Sequence, residues 1–458
     1  MGGKRQKRQL MLAFSPRGRG EALGLGAKGV EPPMAACASE RTALTQVMEE
    51  VCSRENMYEA YQRVKRNKGA PGVDGMKVSE LLDHLRDRWT TIRTQLLDGS
   101  YRPQPVRRVD IPKPGGGQRQ LGIPTVMDRL IQQAILQVLQ PIWDATFSES
   151  SFGFRPGRSA HQAVLQSQKH IRAGCEVVVD LDLEKFFDRV NHDMLMARVA
   201  RRVKDKRLLR LLRRFLEAGL MSEGITSPRY QGMPQGGPLS PLLSNLLLDE
   251  LDKELERRGH RYCRYADDCN IYVRSLRAGE RVMRNITRFL EKRMRLKVNQ
   301  SKSAVAHPWE RKFLGFTFSV GCKAYVRVAP ASFERLKTRI KELTARNRGR
   351  SFEQVLGETS QYLRGWRSYY GLAYQPWKMR KLDRWIRHKL RCLAWTQWKT
   401  FKNRKKELRR RGVNTKLAAE TAASRKGPWA VSKLPGVQKA LSNAYFQSVG
   451  LTLRDALG

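Results

Sequence analysis

The sequence predicts an α+β fold in which a split β-sheet carries helices on one face. The stretch "CEVVVDLDL" (175–183) is a near-continuous apolar strand, as expected in the buried middle of a sheet. The stretch "RYCRYADDCNIYV" (261–273) predicts a hairpin, because strand-forming residues flank a turn at Ala266-Asp267-Asp268. Two helical stretches separate this strand from the hairpin, and a helix and a terminal strand follow, which is the order of a split sheet.

The first third of the chain combines a basic arm, helices and one extended stretch. Residues 1–40 are rich in Gly and Arg without periodicity, which predicts a flexible basic arm. The pattern from 41 to 100 is helical and is interrupted by a Gly/Pro loop, "NKGAPGVDG" (67–75). An extended basic stretch (105–124) then precedes a predicted helix, "VMDRLIQQAILQVLQPIW" (126–143).

The remaining elements are mostly helical. Residues 192–218 are helical and basic, and "PLLSNLLLDELDKELERRG" (241–259) is a long helix that ends at Gly259. A helix over 278–296 follows the hairpin, and short strands are predicted near 312–320. After about residue 330 the sequence becomes helical, aromatic and very basic.

Composition indicates a nucleic-acid partner and a reducing compartment. The 458 residues include 88 Lys and Arg against 43 Asp and Glu, a net charge of +45, which a polyanion usually neutralises. No stretch approaches the ~18 apolar residues of a membrane span. Seven cysteines without a C-x-x-C pair favour neither a disulfide framework nor a structural zinc site. We therefore expect a cytoplasmic protein, although the Arg-rich start leaves an organellar transit peptide as a less favoured alternative.

Three carboxylates predict a metal site. Asp182 ends the apolar strand, where an aspartate is rare unless it is paired or bound to metal. If this strand lies beside the hairpin, Asp182, Asp267 and Asp268 meet at one edge of the sheet. Carboxylates at such short separations require cations between them. Oxygen ligands select Mg²⁺, with Mn²⁺ as a substitute, and two such ions ~4 Å apart catalyse phosphoryl transfer.

Several motifs, in order along the chain, resemble one protein family. "YADD", "DLEKFFD", "QGMPQGGPLSPLLSNLLLDELD" and "FLGF" are similar to the palm of a reverse transcriptase. "NKGAPGVDG", "RRVDIPKPGGGQRQLGIPTVMDRLIQQAI", "FGFRPGRSAHQAV" and "YLRGWRSYYGLA" resemble, more specifically, the group II intron reverse transcriptases and maturases. The resemblance extends over about residues 50–450 and is group IIC-like.

The resemblance implies a right-hand polymerase with fingers, a palm built on a split βαββαβ-type antiparallel sheet, an α-helical thumb and a small basic tail. Many relatives carry a further nuclease domain built on Cys and His pairs. We expect none here, since past residue 330 only His388 and Cys392 remain. The expected domains are the arm (1–40), the N-terminal extension and fingers (41–175), the palm (176–325), the thumb or maturase domain X (326–398) and the DNA-binding tail (399–458).

The resemblance also implies roles for residues of the active site. The metal ligands would be Asp182, Asp267, Asp268 and the carbonyl of Leu183. Asp180 is an alternative to Asp182, which we prefer for its spacing to "FFD".

For nucleotide binding, the resemblance implies Phe187 beneath the sugar, with Phe186 as the alternative, and Gln235 against the incoming dNTP. Lys113 and Arg119 would contact the triphosphate, and Lys302 would donate a proton to pyrophosphate.

Basic residues outside this site are expected to hold nucleic acid. Residues 378–411 contain 15 Lys and Arg against Asp383 and Glu407, and so many like charges repel one another without phosphate. Residues 423–446 resemble the DNA-contacting tail of group IIC proteins. The predicted nucleic-acid contacts are Arg155, Arg158, Lys399, Lys402, Arg404, Lys405, Lys406, Arg409, Arg410 and Arg411.

The resulting hypothesis is an RNA-directed DNA polymerase that binds intron RNA and target DNA, assists splicing and copies the RNA during retrohoming. We expect no membrane and no obligate protein partner. One alternative is a domesticated polymerase of the same fold that acts in host DNA repair or defence. Another is a maturase that only assists splicing, which the intact carboxylates disfavour.

Overall fold

The computed structural model describes residues 45–112, 116–222 and 224–451. The predicted arm over 1–40 and the predicted triphosphate contact Lys113 lie outside the described residues.

The chain divides into two compact units. The first comprises Met1–Ala163 and Val177–Val305, and the second comprises Val164–Glu176 and Ala306–Gly458. One continuous hydrophobic core fills the first unit, from Val47 in its first helix to Val298.

The N-terminal part of the first unit is helical, with one β-hairpin. Its elements are α1 (Val47–Val51), α2 (Arg54–Asn67), α3 (Leu81–Leu97), β1 (Val106–Pro112), β2 (Gln118–Ile123) and α4 (Val126–Asp144). Helix α2 ends where the Gly/Pro loop begins, as predicted. Helix α4 begins after Thr125, whose hydroxyl accepts a hydrogen bond from the backbone N–H of Asp128 at 3.1 Å and so caps the helix.

The central part of the chain holds the predicted split sheet. Its elements are α5 (Ala160–Arg172), β3 (Val177–Leu181), α6 (Phe186–Arg189), α7 (His192–Ala200), α8 (Lys206–Glu217), β4 (Leu220–Ser222), β5 (Ile225–Ser227), α9 (Ser240–Arg257), β6 (Arg261–Tyr265), β7 (Asp268–Val273), α10 (Leu276–Arg293) and β8 (Ala304–Ala306). The stretch predicted as one helical region over 192–218 is two helices, because Asp205 caps the second by accepting the N–H of Arg207 at 3.0 Å.

The split sheet has the strand order β6-β7-β3-β8. Strand β7 pairs antiparallel with β6 on one side and with β3 on the other. Four of the five residues of β3 are buried, since helix α10 packs on β3 and β7. The predicted apolar strand, the hairpin and their helices are therefore confirmed.

A second sheet has the order β2-β1-β4-β5. The predicted extended stretch forms its hairpin β1–β2, while β4 runs parallel to β1. Strands β4 and β5 have three residues each. The sequence analysis predicts neither strand, since three residues carry little periodicity.

The second unit is mainly helical. Its later elements are β9 (Phe316–Phe318), β10 (Val326–Val328), α11 (Pro330–Leu343), α12 (Phe352–Tyr370), α13 (Pro376–Gln397), α14 (Phe401–Arg410), α15 (Thr415–Ala422), α16 (Pro428–Val431), α17 (Pro435–Ala440) and α18 (Asn443–Ser448). Leu336, Leu390, Trp395 and Phe446 are buried in its interior. Within the part of the chain that the structure describes, no helix combines the length and the apolar character that crossing a membrane requires.

Candidate active site

The predicted site lies on the turn between β6 and β7. Tyr265 pairs with Asp268, so the turn itself consists of Ala266 and Asp267. Ala266 has φ of 57°, in the left-handed region that a residue other than glycine adopts only at a cost. The surrounding packing must therefore hold this turn in place.

The register of the sheet brings Asp182 to the same edge. Leu181 pairs with Cys269 across β3 and β7, so the next position along the register sets Asp182 opposite Asp268. Burial raises the pKa of Asp267, the nearby charge of Asp182 raises it further, and Arg119 opposes this effect. The register thus sets Asp182 beside the turn that carries Asp267. Asp268 is exposed.

The backbone around Leu183 leaves its carbonyl oxygen outside the local ladder. Leu183 forms a β-bridge with Val298, whose hydrogen bonds run from Asn299 N–H to the Asp182 carbonyl at 2.8 Å and from Glu184 N–H to Lys297. Neither bond uses the carbonyl of Leu183. Because successive carbonyls of an extended strand alternate in direction, this carbonyl points away from Val298.

Lys302 lies at the same edge, with Nζ 3.9 Å from Oδ2 of Asp182. Its side chain is 65% exposed, so it can reach toward a ligand beside the carboxylates. Asp180, the alternative to Asp182, pairs with Asn270 and lies two residues farther from the turn.

A buried ion pair holds the backbone of the turn. Arg264 and Asp252 are both fully buried, and Nε of Arg264 donates to Oδ1 of Asp252 at 2.7 Å. The same guanidinium donates to the carbonyl of Ala266 at 2.9 Å, to Asn245 at 2.9 Å and to Ser151 at 2.7 Å. Burial lowers the pKa of the Arg264 guanidinium, but the charge and hydrogen bonds of Asp252 have the larger effect, so this pKa is raised. The sequence analysis missed this network.

The loop that follows Ser151 touches the turn directly. A Cβ atom on Gly153 would lie 2.2 Å from the backbone nitrogen of Ala266, so only glycine fits here. Asn245 donates to the carbonyl of Gly153 at 2.8 Å. The backbone of the motif "FGF" therefore packs directly against the turn that carries Asp267.

Arg155, in the same loop, has a different position from the one predicted. It is 7% exposed, and its guanidinium binds Asp144 at 2.8 Å and the carbonyls of Ser148 and Ser151 at 2.6 and 2.9 Å. These contacts assign Arg155 to the framework of the loop, because its donors are directed into the protein and not toward a bound nucleic acid. Arg158 is more exposed and pairs with Glu149.

Two of the predicted nucleotide contacts are joined to each other. Nε of Arg119 donates to Oε1 of Gln235 at 2.6 Å, although the two residues are far apart in the sequence. The backbone carbonyl of Gln235 accepts the N–H of Gly122 at 2.8 Å. Gly236 has φ of 130°, and a Cβ atom there would lie 2.8 Å from the carbonyl oxygen of Gly122. The "PQGG" loop thus packs closely against β2.

Phe186 and Phe187 are adjacent to that loop and both are buried. Their rings meet edge to face with 5.2 Å between centroids. The carbonyl of Phe187 accepts the N–H of Met233 at 2.7 Å, which ties this residue to the segment that carries Gln235. The role of Phe187 beneath the sugar stays a prediction.

The arrangement fits a divalent cation in its chemistry. Asp267 is partly buried near a second carboxylate, and a cation between them would relieve the cost of their charges. The donors available are carboxylate and carbonyl oxygens, which hard cations prefer. Within the described residues, however, no three or more His, Cys, Asp or Glu side chains are grouped closely enough to hold a metal ion. The side chains of the predicted triad do not form a closed set of ligands.

The predicted basic contacts over 399–411 fall into two groups. Arg404 lies over the ring of Trp395 at 4.4 Å, and Arg411 lies over Trp398 at 5.2 Å and pairs with Glu407. These two therefore contribute to packing. The exposed members are Lys399, Lys402, Lys406, Arg409 and Arg410, of which Arg410 pairs with Glu407. Lys405 is partly buried.

Two family profiles match the chain. Reverse transcriptase (RNA-dependent DNA polymerase) matches residues 111–318, which contain every active-site residue discussed above. The group II intron maturase-specific domain matches residues 333–412. The second match includes α14, so the basic segment that we predicted as the start of a DNA-binding tail lies within the maturase-specific region.

Named relatives agree with these matches. The chain is 35% identical to protein YkfC of Escherichia coli (strain K12) over 293 residues, which cover 55% of this chain and 77% of YkfC. It is 40% identical to the group II intron-encoded protein LtrA of Lactococcus lactis subsp. cremoris over 202 residues, which cover 43% of this chain and 33% of LtrA. The chain thus spans only about a third of LtrA.

Among solved structures, a chain of a partial Cas6-RT-Cas1–Cas2 complex is similar at 24% identity, over 54% of this chain and 42% of that one. Its TM-score of 0.35 is too low to carry weight. The two profiles, in order along the chain, and the match to most of YkfC are sufficient to assign the family. The chain belongs to the group II intron reverse transcriptase/maturase family, and residues 111–318 form its RNA-dependent DNA polymerase domain.

Proposed function

We propose that this protein copies RNA into DNA, binds a group II intron RNA to assist its splicing, and copies that RNA during insertion into a DNA target. The observation that carries the proposal is the register of the sheet, which sets Asp182 opposite Asp268 and beside the turn at Asp267. Arg119 binds Gln235. One site thus combines carboxylates for cations with groups for a nucleotide.

Reverse transcriptase domains generally use divalent metal ions, and we propose Mg²⁺, with Mn²⁺ as a substitute, on Asp182, Asp267, Asp268 and the Leu183 carbonyl. Held by these oxygens, such ions would supply positive charge beside the primer hydroxyl and the phosphates.

The protein's own residues would position the reactants. Arg119 offers a positive charge to the triphosphate, and Gln235 would contact the incoming nucleotide. Phe187 would limit the space beneath the sugar and so favour dNTP over rNTP. Lys302, beside Asp182, would donate a proton to the leaving pyrophosphate.

The test is primer extension on an RNA template with Mg²⁺, with Mn²⁺ and with EDTA. We expect synthesis with either ion and none with EDTA. A parallel splicing assay uses the RNA that flanks the gene, with and without the protein. Absence of extension with both ions would overturn the polymerase assignment.

Splicing separates the alternatives. A polymerase domesticated for host repair or defence would extend primers without accelerating splicing, and the DNA around its gene would lack intron RNA hairpins. A maturase that only assists splicing would show the reverse result. The cytoplasmic location stays a prediction.

A further inference from the structure

The second unit contains a basic cavity that lies outside the active site. It has a volume of about 350 Å³ and is bounded by α13 on one side and by α17 and α18 on the other. Four arginines of α13 line it, namely Arg380, Arg384, Arg387 and Arg391. Their spacing of four, three and four residues places them along one face of the helix.

These arginines lead from the surface into the interior. Arg380 and Arg384 are exposed, the side chain of Arg387 is 18% exposed, and Arg391 is 4% exposed. Nε of Arg391 donates to the carbonyl of Leu441 at 3.0 Å, which fixes the deepest guanidinium. The cavity is therefore a built feature and not a chance cluster of mobile side chains.

Positive charge in the cavity exceeds the negative charge that faces it. Asp383 is the one carboxylate among its lining residues, 4.0 Å from Arg387. Burial lowers the pKa of Arg391 to about 10, and Arg387 contributes. Burial also lowers the pKa of His388, and Arg391 and other nearby cations lower it further. Burial is the larger cause of each shift, and the neighbouring cations add to both. Four arginines against one carboxylate leave positive charge that a bound anion would neutralise.

The opposite wall consists of neutral amides. Gln438, Asn443 and Gln447 line it, and the amide oxygen of Asn443 lies 3.4 Å from the guanidinium of Arg391. Amides offer donors and acceptors together. A strand whose phosphate lay on the arginines could place its sugar or base against them.

We propose that this cavity binds a phosphodiester group of a single-stranded nucleic acid, with the amides contacting the adjacent nucleotide. The inference rests on the proposed function in taking nucleic acid as the partner. Guanidinium groups bind phosphate through paired, charge-assisted hydrogen bonds, and four of them converge here. Intron RNA and target DNA both supply this chemistry, and the experiment distinguishes them.

Helix α13 itself provides a matched control. Its other face carries Lys378 and Lys381, which lie over the rings of Phe333 and Trp377 at 5.8 and 5.2 Å and do not line the arginine cavity. Replacing both lysines removes the same charge from the same helix. General loss of positive charge can thus be separated from loss of the cavity.

The experiment measures binding of the full chain to labelled single strands of about 12 nucleotides, RNA and DNA, by fluorescence anisotropy over a range of salt. One variant carries Arg380→Gln and Arg384→Gln, both at exposed positions. Its control carries Lys378→Gln and Lys381→Gln. A second variant, Gln438→Glu, places a carboxylate in the cavity without changing its shape, and Gln361→Glu adds the same charge to exposed α12 surface.

We expect both cavity variants to bind about tenfold more weakly, and the arginine variant to lose ~0.7 from the salt slope for each contact removed. Each control should change affinity by less than about threefold. A larger loss on RNA assigns the site to the intron, and a larger loss on DNA assigns it to the target. Equal weakening by the arginine and lysine variants would overturn the proposal. Primer extension by the unaltered protein tests the proposed function separately.

Discussion

The turn at Ala266-Asp267 and the helix α14 use charge in opposite ways. In the turn, Asp267 stands on a fully buried pair, Arg264–Asp252, that also holds the backbone of the turn. In α14, Lys402, Lys406 and Arg409 are exposed. A site built on one fixed geometry depends on each of its residues, whereas exposed charges contribute in small, similar amounts. We therefore expect changes in the turn to affect catalysis and changes in α14 to affect the affinity for nucleic acid.

The largest effect should come from removing the carboxylates of the turn. We expect Asp267→Ala with Asp268→Ala to reduce DNA synthesis at least about a thousandfold, since groups that act together in catalysis are not replaceable. RNA binding should change little, because many Lys and Arg residues carry it. Primer extension and RNA binding are measured together, with Asp87→Ala, an exposed carboxylate of α3, as control. Normal extension by the double variant would refute the assignment of the palm.

The next effect concerns the buried pair. Arg264→Met should lower the free energy of unfolding by about 3–5 kcal/mol, because it leaves Asp252 buried without its partner. Urea denaturation measures this change.

A second variant separates folding from positioning. Arg264→Met with Asp252→Leu removes both charges and should recover much of the stability, as apolar replacements of buried pairs often do. Its kcat should stay low, because the carbonyl of Ala266 has lost its donor. Full recovery of kcat would show that the pair stabilises the fold without positioning the turn.

A smaller effect is expected at the base of the nucleotide site. Phe187→Ala should raise the use of rNTP relative to dNTP about tenfold, since the pocket gains room for a hydroxyl while the metal ligands remain. Ratios of kcat/KM for the two nucleotides measure it, and Phe186→Ala is the control. If sugar selectivity changes only in the control, the role belongs to Phe186.

Neutralising the exposed bases of α14 should have a graded effect. Replacing Lys399, Lys402, Lys406 and Arg409 by Gln should weaken nucleic-acid binding and reduce its salt slope by ~0.9 per lost contact on duplex. Arg404 and Arg411 are left in place because they pack on tryptophans. Insertion into DNA should fall most, and extension of a short annealed primer least. Equal losses in both assays would place the segment in the polymerase clamp.

The smallest effect compares the fully buried pair of Asp252 with the partly exposed pairs of Glu254 on the same helix. Glu254 lies two residues after Asp252, and hydrogen bonds from Arg257 and Arg258 lower the pKa of its carboxyl to about 2. Because the folded pKa lies below the unfolded value, this stabilisation is present above about pH 5 and is lost as the pH falls toward 2. Glu254→Gln should lower the free energy of unfolding by less than about 1 kcal/mol at pH 7. Urea denaturation of both proteins should show a difference that shrinks on acidification; a growing difference would contradict the linkage.

Sequence patterns predicted the elements that bury continuous apolar surface. Strand β3, helix α9 and the hairpin around Asp267 all lie where periodicity and composition placed them, because burial imposes those patterns directly. The pairing of β3 with the hairpin, which sets Asp182 opposite Asp268, also agrees with the sequence prediction.

The supporting residues could not be predicted in the same way. In the sequence, Arg264 resembles any basic residue of a strand, and Asp252 resembles any charged residue of a helix that carries both signs of charge. Both are buried only in the tertiary fold. The sequence predicts that Arg155 contacts nucleic acid. In the structure, Arg155 is buried and forms an ion pair with Asp144. Charge in a sequence does not reveal whether it faces solvent, a partner or the interior.

Gly153 has a consequence for how this protein tolerates change. It carries no side chain and no charge, and neighbouring backbone occupies the space that a Cβ would need. A saturation scan should find this position almost intolerant of substitution, with activity lost through displacement of the Asp267 turn. Variation at such a position is limited by geometry alone, so drift at the active site is restrained by a residue that takes no part in its chemistry.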